Sequence, residues 1–159
     1  MPALSVLIHA HAESAAEPLG RLLETLRPAD EVVVVDHTGD AATRKVVHQY
    51  GAKLVPAVPG VSPGAYAANC RYDWVLCLLA TESLSEALEA SLFEWKRAEP
   101  QPAESFSIPL REQHEKSWRI LDAETRLVHR GQVHWQGTLP PPLAGATLLA
   151  GHILRFREQ

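Results

Sequence analysis

Unbroken apolar runs alternate along this chain with segments whose apolar residues recur at helical spacing. Residues 4–9 form the first run and read as a strand. Leu19, Leu22, Leu23 and Leu26 then fall at i, i+3, i+4 and i+7, one stripe of a helix. Pro18 stands in its first turns, where a missing N–H is tolerated, and Pro28 ends it. Four consecutive valines follow at 32–35. β-Branched residues favour extended backbone, and without polar alternation both faces of this strand must be covered.

A second helix is predicted from about 41 to 50, with Val46, Val47 and Tyr50 facing inward and Gly51 supplying a left-handed residue beyond its end. Residues 52–55 read as a third strand, 56–64 as a Pro- and Gly-rich loop, and 65–71 as two helical turns at most. Residues 73–79 are apolar almost throughout and read as a fourth, central strand. Ser83 and Glu86 have capping-box spacing for a helix carrying Leu84, Leu88, Leu92 and Trp95 on one face and breaking before Pro100. The β-α-β-α-β order with short connections predicts an α/β fold, a mostly parallel central sheet with helices on both faces.

Beyond residue 98 the texture changes. Short alternating runs beginning at Phe106, Trp118, Thr125 and Gln132 suggest strands or a β-ribbon added to the first half. Pro140-Pro141-Pro142 reads as an extended spacer and 147–156 as a last apolar element. The expected organisation is one domain, 1–159, with an α/β part over 1–97 and a shortened β-rich part over 98–159.

Composition adds limits. The chain has 159 residues, 46% hydrophobic and 21% charged, with a formal charge of −4 and no basic run, so nucleic-acid binding has no electrostatic support. No apolar run approaches the roughly 20 residues of a membrane helix, and the first residues lack the basic start of a signal peptide. Cys70 and Cys77 are too far apart for a Cys-x-x-Cys pair and are expected to be reduced, buried thiols in a cytoplasmic chain. Gly-x-Ser-x-Gly, Gly-x-Gly-x-x-Gly and phosphate-loop patterns are missing, leaving hydrolase and dinucleotide readings unsupported.

The valine strand stops at Asp36, followed by His37, Thr38, Gly39 and Asp40. Ligands of open α/β sheets bind beyond the carboxyl ends of the strands, so Asp36 is either a ligand carboxylate or a simple strand terminator. Asp40 reads as a helix cap. His9 and His11, two apart, face one side of a strand. With His37 nearby a three-histidine metal site is conceivable, but no fourth ligand is evident and two unrelated strand-end side chains is the preferred reading. His129 and His134, flanking a turn at Arg130-Gly131, read as surface residues. The four tryptophans read as packing residues.

The order of these signals resembles glycosyltransferase family 2, an A-type glycosyltransferase fold, and most of all its compact bacterial members acting on lipopolysaccharide cores. The resemblance rests on Ser5 to Glu13, on Ala29 to Asp36 with Thr38-Gly39-Asp40, on Tyr50-Gly51-Ala52-Lys53-Leu54 and on Asp73-Trp74-Val75-Leu76. It covers roughly residues 4–97. It implies a nucleotide-sugar pocket using Glu13 and Asp36, with His11, His37 and Thr81 as further nucleotide contacts and Arg71 and Arg126 on the acceptor side. The family's Asp-x-Asp, which binds ribose and a divalent metal, is replaced by Leu79-Ala80-Thr81, with Glu82 one position off. No metal site is therefore expected, Glu82 being the one candidate, and Mg or Mn is doubtful. No catalytic base is assigned. The leading expectation is a pseudoenzyme that keeps the nucleotide pocket. The alternatives are a metal-independent transferase, with Arg71 or His11 supplying the charge, and an interaction module bound to itself or to a protein partner.

Overall fold

The computed structural model describes residues 2–11, 16–98, 101 and 103–156. Strand β1 (Leu4–Ala10) is buried along its whole length. It pairs in parallel with β2 (Glu31–Asp36) on one side and β4 (Trp74–Leu79) on the other, while β3 (Lys53–Pro56) extends the parallel set beyond β2. The valine run is thus central, as its lack of polar alternation requires.

Helix α1 (Ala16–Leu23) buries Pro18, Leu19 and Leu22. Leu26, beyond its end, packs in the same core. Helix α2 (Ala41–Gln49) is capped by Asp40, whose side chain accepts from Ala42 N. Gly51, at φ +70°, turns the chain out of it. Tyr50 departs from expectation: it is exposed, and its hydroxyl donates to Glu24 Oε1 at 2.7 Å. The polar tip finds its partner at the surface, so the ring stays there.

Helix α3 (Glu86–Arg97) begins two residues later than the capping-box spacing predicts. Ser85 is the cap, accepting from Leu88 N, and Ser83 lies in a short strand, β5 (Glu82–Leu84). All three α-helices bury residues in one core, with Leu4, Val6, Ile8, Val34, Leu76 and Leu78 of the sheet. The opposite face, bearing Leu7, Val33, Val35, Val75 and Cys77, is covered by a 3₁₀ helix (Pro63–Asn69) and by Trp135 and Leu139. The expectation of helices on both faces is therefore met in part: the three α-helices lie on one face and the 3₁₀ helix on the other.

The second half is a long hairpin of β6 (Ser105–His114) and β7 (Ser117–His129), antiparallel, with register shifts around Ser107 and Pro109. Strand β7 runs straight through Asp122-Ala123-Glu124, a stretch polar enough to read as a break; residues 132–135 form no strand. Two short strands, β8 (Thr147–Leu148) and β9 (Ile153–Arg155), complete one mixed sheet of order β3-β2-β1-β4-β7-β6-β9-β5, with β8 also on β6. The parallel expectation holds for the first four strands; β4–β7, β6–β7 and β5–β9 are antiparallel.

That order forces curvature. Between β4 and β5 lie four strand spacings, roughly 19 Å in a flat sheet. The chain from Leu79 to Glu82 takes three Cα steps and reaches at most about 11 Å. The sheet must curl to bring β5 back toward β4.

Candidate functional site

The parallel register sets Ala10 beside Asp36, so β1 and β2 end together at the carboxyl edge of the sheet. Asp36 is buried, and its Oδ1 accepts from Thr38 N at 2.8 Å and from Thr38 Oγ1 at 2.6 Å. Thr38 Oγ1 in turn accepts from Asp40 N at 2.9 Å, and Asp40 caps α2. The polar turn is thus a relay of three side chains leading from strand to helix, with Gly39 at φ +65°. Beside it opens a cleft of about 660 Å³, lined among others by His11, Asp36, His37, Thr38, Arg44 and Val58. Arg44, not singled out from the sequence, donates from Nη1 to Gly39 O at 3.0 Å. The available signal was its place one helical turn after Asp40.

The histidines gather at the same edge. His9 Nδ1 lies 2.9 Å from His37 Nε2, and the rings of His11 and His37 stack with centroids 4.0 Å apart at 16°. One ligand atom from each of His9, His11 and His37 lies within 4.8 Å of the other two. Among the described residues this is the one group of three ligating side chains so placed. The preferred sequence reading of unrelated side chains does not describe this geometry: β1 ends beside β2, and the period of two puts His9 and His11 on one side. Tyr66, from the 3₁₀ helix, stands edge-on to His9 and His37, with its hydroxyl accepting from Val58 N. Burial, then His37 and His11, push the pKa of His9 down to about 4. Burial and His11 also lower His37, against the pull of Asp36. Both rings are held toward the neutral form.

Other candidates fall elsewhere. Glu13 lies outside the described residues. Thr81 is half-buried between β4 and β5. Glu82 is fully buried and committed to internal partners. Its carboxylate takes Arg126 Nη1 at 2.7 Å and Nη2 at 2.8 Å, Leu79 N at 2.8 Å and Arg155 Nη2 at 3.2 Å. Arg126, expected on the acceptor side, is itself fully buried and also reaches Cys77 O and Glu124. It is a structural cation, not a surface for substrate. Arg71 is exposed just before β4, at the amino edge of the sheet, whereas Asp36 is at the carboxyl edge. It therefore stands away from the cleft, with its backbone N–H donating to Glu31 Oε1 at 2.7 Å.

The sequence matches no family model and no curated protein. Solved structures do resemble it. A 4-diphosphocytidyl-2C-methyl-D-erythritol synthase superposes with a TM-score of 0.59 at 15% identity, over 95% of this chain and 89% of its own. A nucleotidyl transferase from Methanothermobacter thermautotroptrophicus does so with 0.51 at 16% identity, over 94% and 87%. At these identities the likeness shows a shared fold. Within this fold the position after β4, where the family 2 resemblance implies a Mg or Mn ion, offers Leu79, Ala80, Thr81 and a Glu82 already taken by two arginines. Hard cations need oxygen ligands free to turn toward them, and this set does not fit. Among the described residues no helix is long and apolar enough to cross a membrane.

Proposed function

We propose that the protein is glycosyltransferase family 2-like and binds a nucleotide-sugar in the cleft beside Asp36, with sugar transfer weak or absent. The observation that carries this reading is the Asp36–Thr38 turn. Both Thr38 bonds go to Oδ1, so Oδ2 is the acceptor offered to a ribose hydroxyl at the carboxyl end of a central strand, where ligands of such sheets lie. Weak transfer follows from charge. A departing nucleoside diphosphate needs its negative charge offset, and Leu79, Ala80, Thr81 and the arginine-bound Glu82 are a poor donor set for a hard cation that would do so. Two free, buried thiols accord with a cytoplasmic setting.

A second reading, an active metal-independent transferase, is favoured by Arg44 and His11 at the cleft, which would face the diphosphate. Arg71, on the other edge, has no part in it.

The test is thermal unfolding with UDP, GDP, CMP, CTP and UDP-sugars, with and without EDTA. A ligand at about 100 times its Kd adds roughly 2.7 kcal/mol. A shift with a nucleotide in wild type that disappears in Asp36→Ala supports the reading; no shift with any of them overturns it. Sugar transfer that survives EDTA would favour the second reading.

A further inference from the structure

We propose that His9, His11 and His37 form a binding site for a divalent transition metal of the zinc class, with its remaining coordination position open to the cleft. The inference rests on the histidine geometry alone and stands whether or not the cleft takes a nucleotide.

Three imidazoles from two adjacent strand ends converge here without a carboxylate among them. Nitrogen donors of this kind suit zinc, copper or nickel, whereas magnesium, calcium and manganese prefer oxygen. Tetrahedral zinc at about 2.0–2.1 Å from each nitrogen sets the nitrogens about 3.4 Å apart. The His9–His37 pair, at 2.9 Å, needs to open by a few tenths of an ångström, and the stacked rings of His11 and His37 need to tilt so that their lone pairs meet. His11 is exposed and is the ring free to make that adjustment, while His9 is 1% exposed and fixed.

A second, independent observation concerns His9. Its Nδ1 meets His37, but its Nε2 is buried with no hydrogen-bond partner. Buried polar atoms are almost always paired, and a buried imidazole with one partner requires some other reason for its place. In either tautomer of the pair one His9 nitrogen is left over. A cation bound through Nδ1 supplies that reason by fixing the ring with a bond stronger than the His37 hydrogen bond it replaces, while Nε2 keeps no partner in either state.

Access fixes the kind of site. Tyr66 backs His9 and His37 on one side, while His11 and His37 line the cleft of about 660 Å³. Three protein ligands with a fourth position facing a cleft is the arrangement that leaves room for a water, a carboxylate or a phosphate oxygen. This metal would lie beside Asp36, on β1 and β2, and not after β4.

The experiment uses tag-free full-length protein stripped with EDTA and titrated with Co²⁺, followed by its visible absorption. We expect one equivalent of Co²⁺ to give saturable d–d bands, which one equivalent of Zn²⁺ removes and millimolar Mg²⁺ does not. His11→Ala, a change at an exposed residue, should weaken Co²⁺ at least tenfold while leaving the circular dichroism unchanged. His37→Ala should do the same. Absence of bands in the folded wild type overturns the proposal. So does wild-type affinity in both variants, which would put the metal on the histidines at 48, 114, 129, 134 or 152, and so does displacement by Mg²⁺.

Discussion

Arg126 and Glu82 are 44 residues apart and three strands apart in the sheet, β7 against β5, yet their side chains fork together at 2.7 and 2.8 Å with neither exposed. The curl of the sheet makes this contact possible, and the contact pins the curl. Removing one partner of a buried ion pair typically costs 3–5 kcal/mol, because the other charge is left stranded. Glu82→Leu should cost about that in urea unfolding. Pairing it with Arg126→Met should recover most of the loss, with Arg155 left free to turn to solvent. Equal, additive losses in the two singles and the double would disprove the coupling.

Acid should undo the same contact. Burial works to raise the pKa of Glu82, but hydrogen bonds and charge from Arg126, the Leu79 N–H and Arg155 outweigh it and hold the carboxyl below its ordinary 4.5. A carboxyl depressed in the folded state contributes stability above its unfolded pKa and loses it as pH falls through the folded value. Urea midpoints measured from pH 7 downward should stay level from this group until about pH 4.5, then decline. Glu82→Gln should flatten that part of the decline.

Cysteine chemistry should be silent until the chain opens. Cys70 is 3% exposed and Cys77 fully buried, and burial pushes Cys70 up to about 12 and Cys77 higher still. Attack on a disulfide reagent needs an accessible thiolate. Ellman's reagent at pH 8 should therefore label neither thiol in the native protein and both in urea, at a rate set by unfolding.

Two glycines should respond in opposite ways to alanine. A Cβ on Gly64 would collide with the carbonyl of Trp135, where the 3₁₀ helix meets the loop covering the second face, so Gly64→Ala should cost about 1–3 kcal/mol. A Cβ on Gly20 would meet Val46 and Tyr50 at ordinary contact, 3.7 and 4.0 Å, within α1. Gly20→Ala should then add up to about 1 kcal/mol through helix propensity. Thermal melts of the two variants decide both.

The first half of the fold could be read because its elements are local. Val33 to Val35 show the strand by themselves, and Leu19 and Leu22 show the helix. The second half depends on distant partners. Strand β5 is three residues with a charge at its head, and only Arg126 and Arg155 make Glu82 a buried residue. Strand β7 crosses Asp122 and Glu124 in its more exposed stretch, so hydrophobic patterning fails there. At the site, Asp36 was legible because it closes an apolar strand. The meeting of His9 and His11 with His37 was not, since their convergence is set by the β1–β2 register and by Tyr66 behind them.

The strand order also dictates a sequence of events on the ribosome. Strand β5 has β9 as its one pairing partner among the described strands, and β9 enters between β6 and β5. A nascent chain that has already exposed residues 82–84 must wait about 70 residues of synthesis for 153–155 to arrive. Through that interval Glu82 has no neighbouring strand, and the outer side of β6 stays open to pairing with a foreign edge. Translation speed between residues 84 and 153, and chaperone occupancy during that interval, should therefore govern how much of this protein is recovered folded.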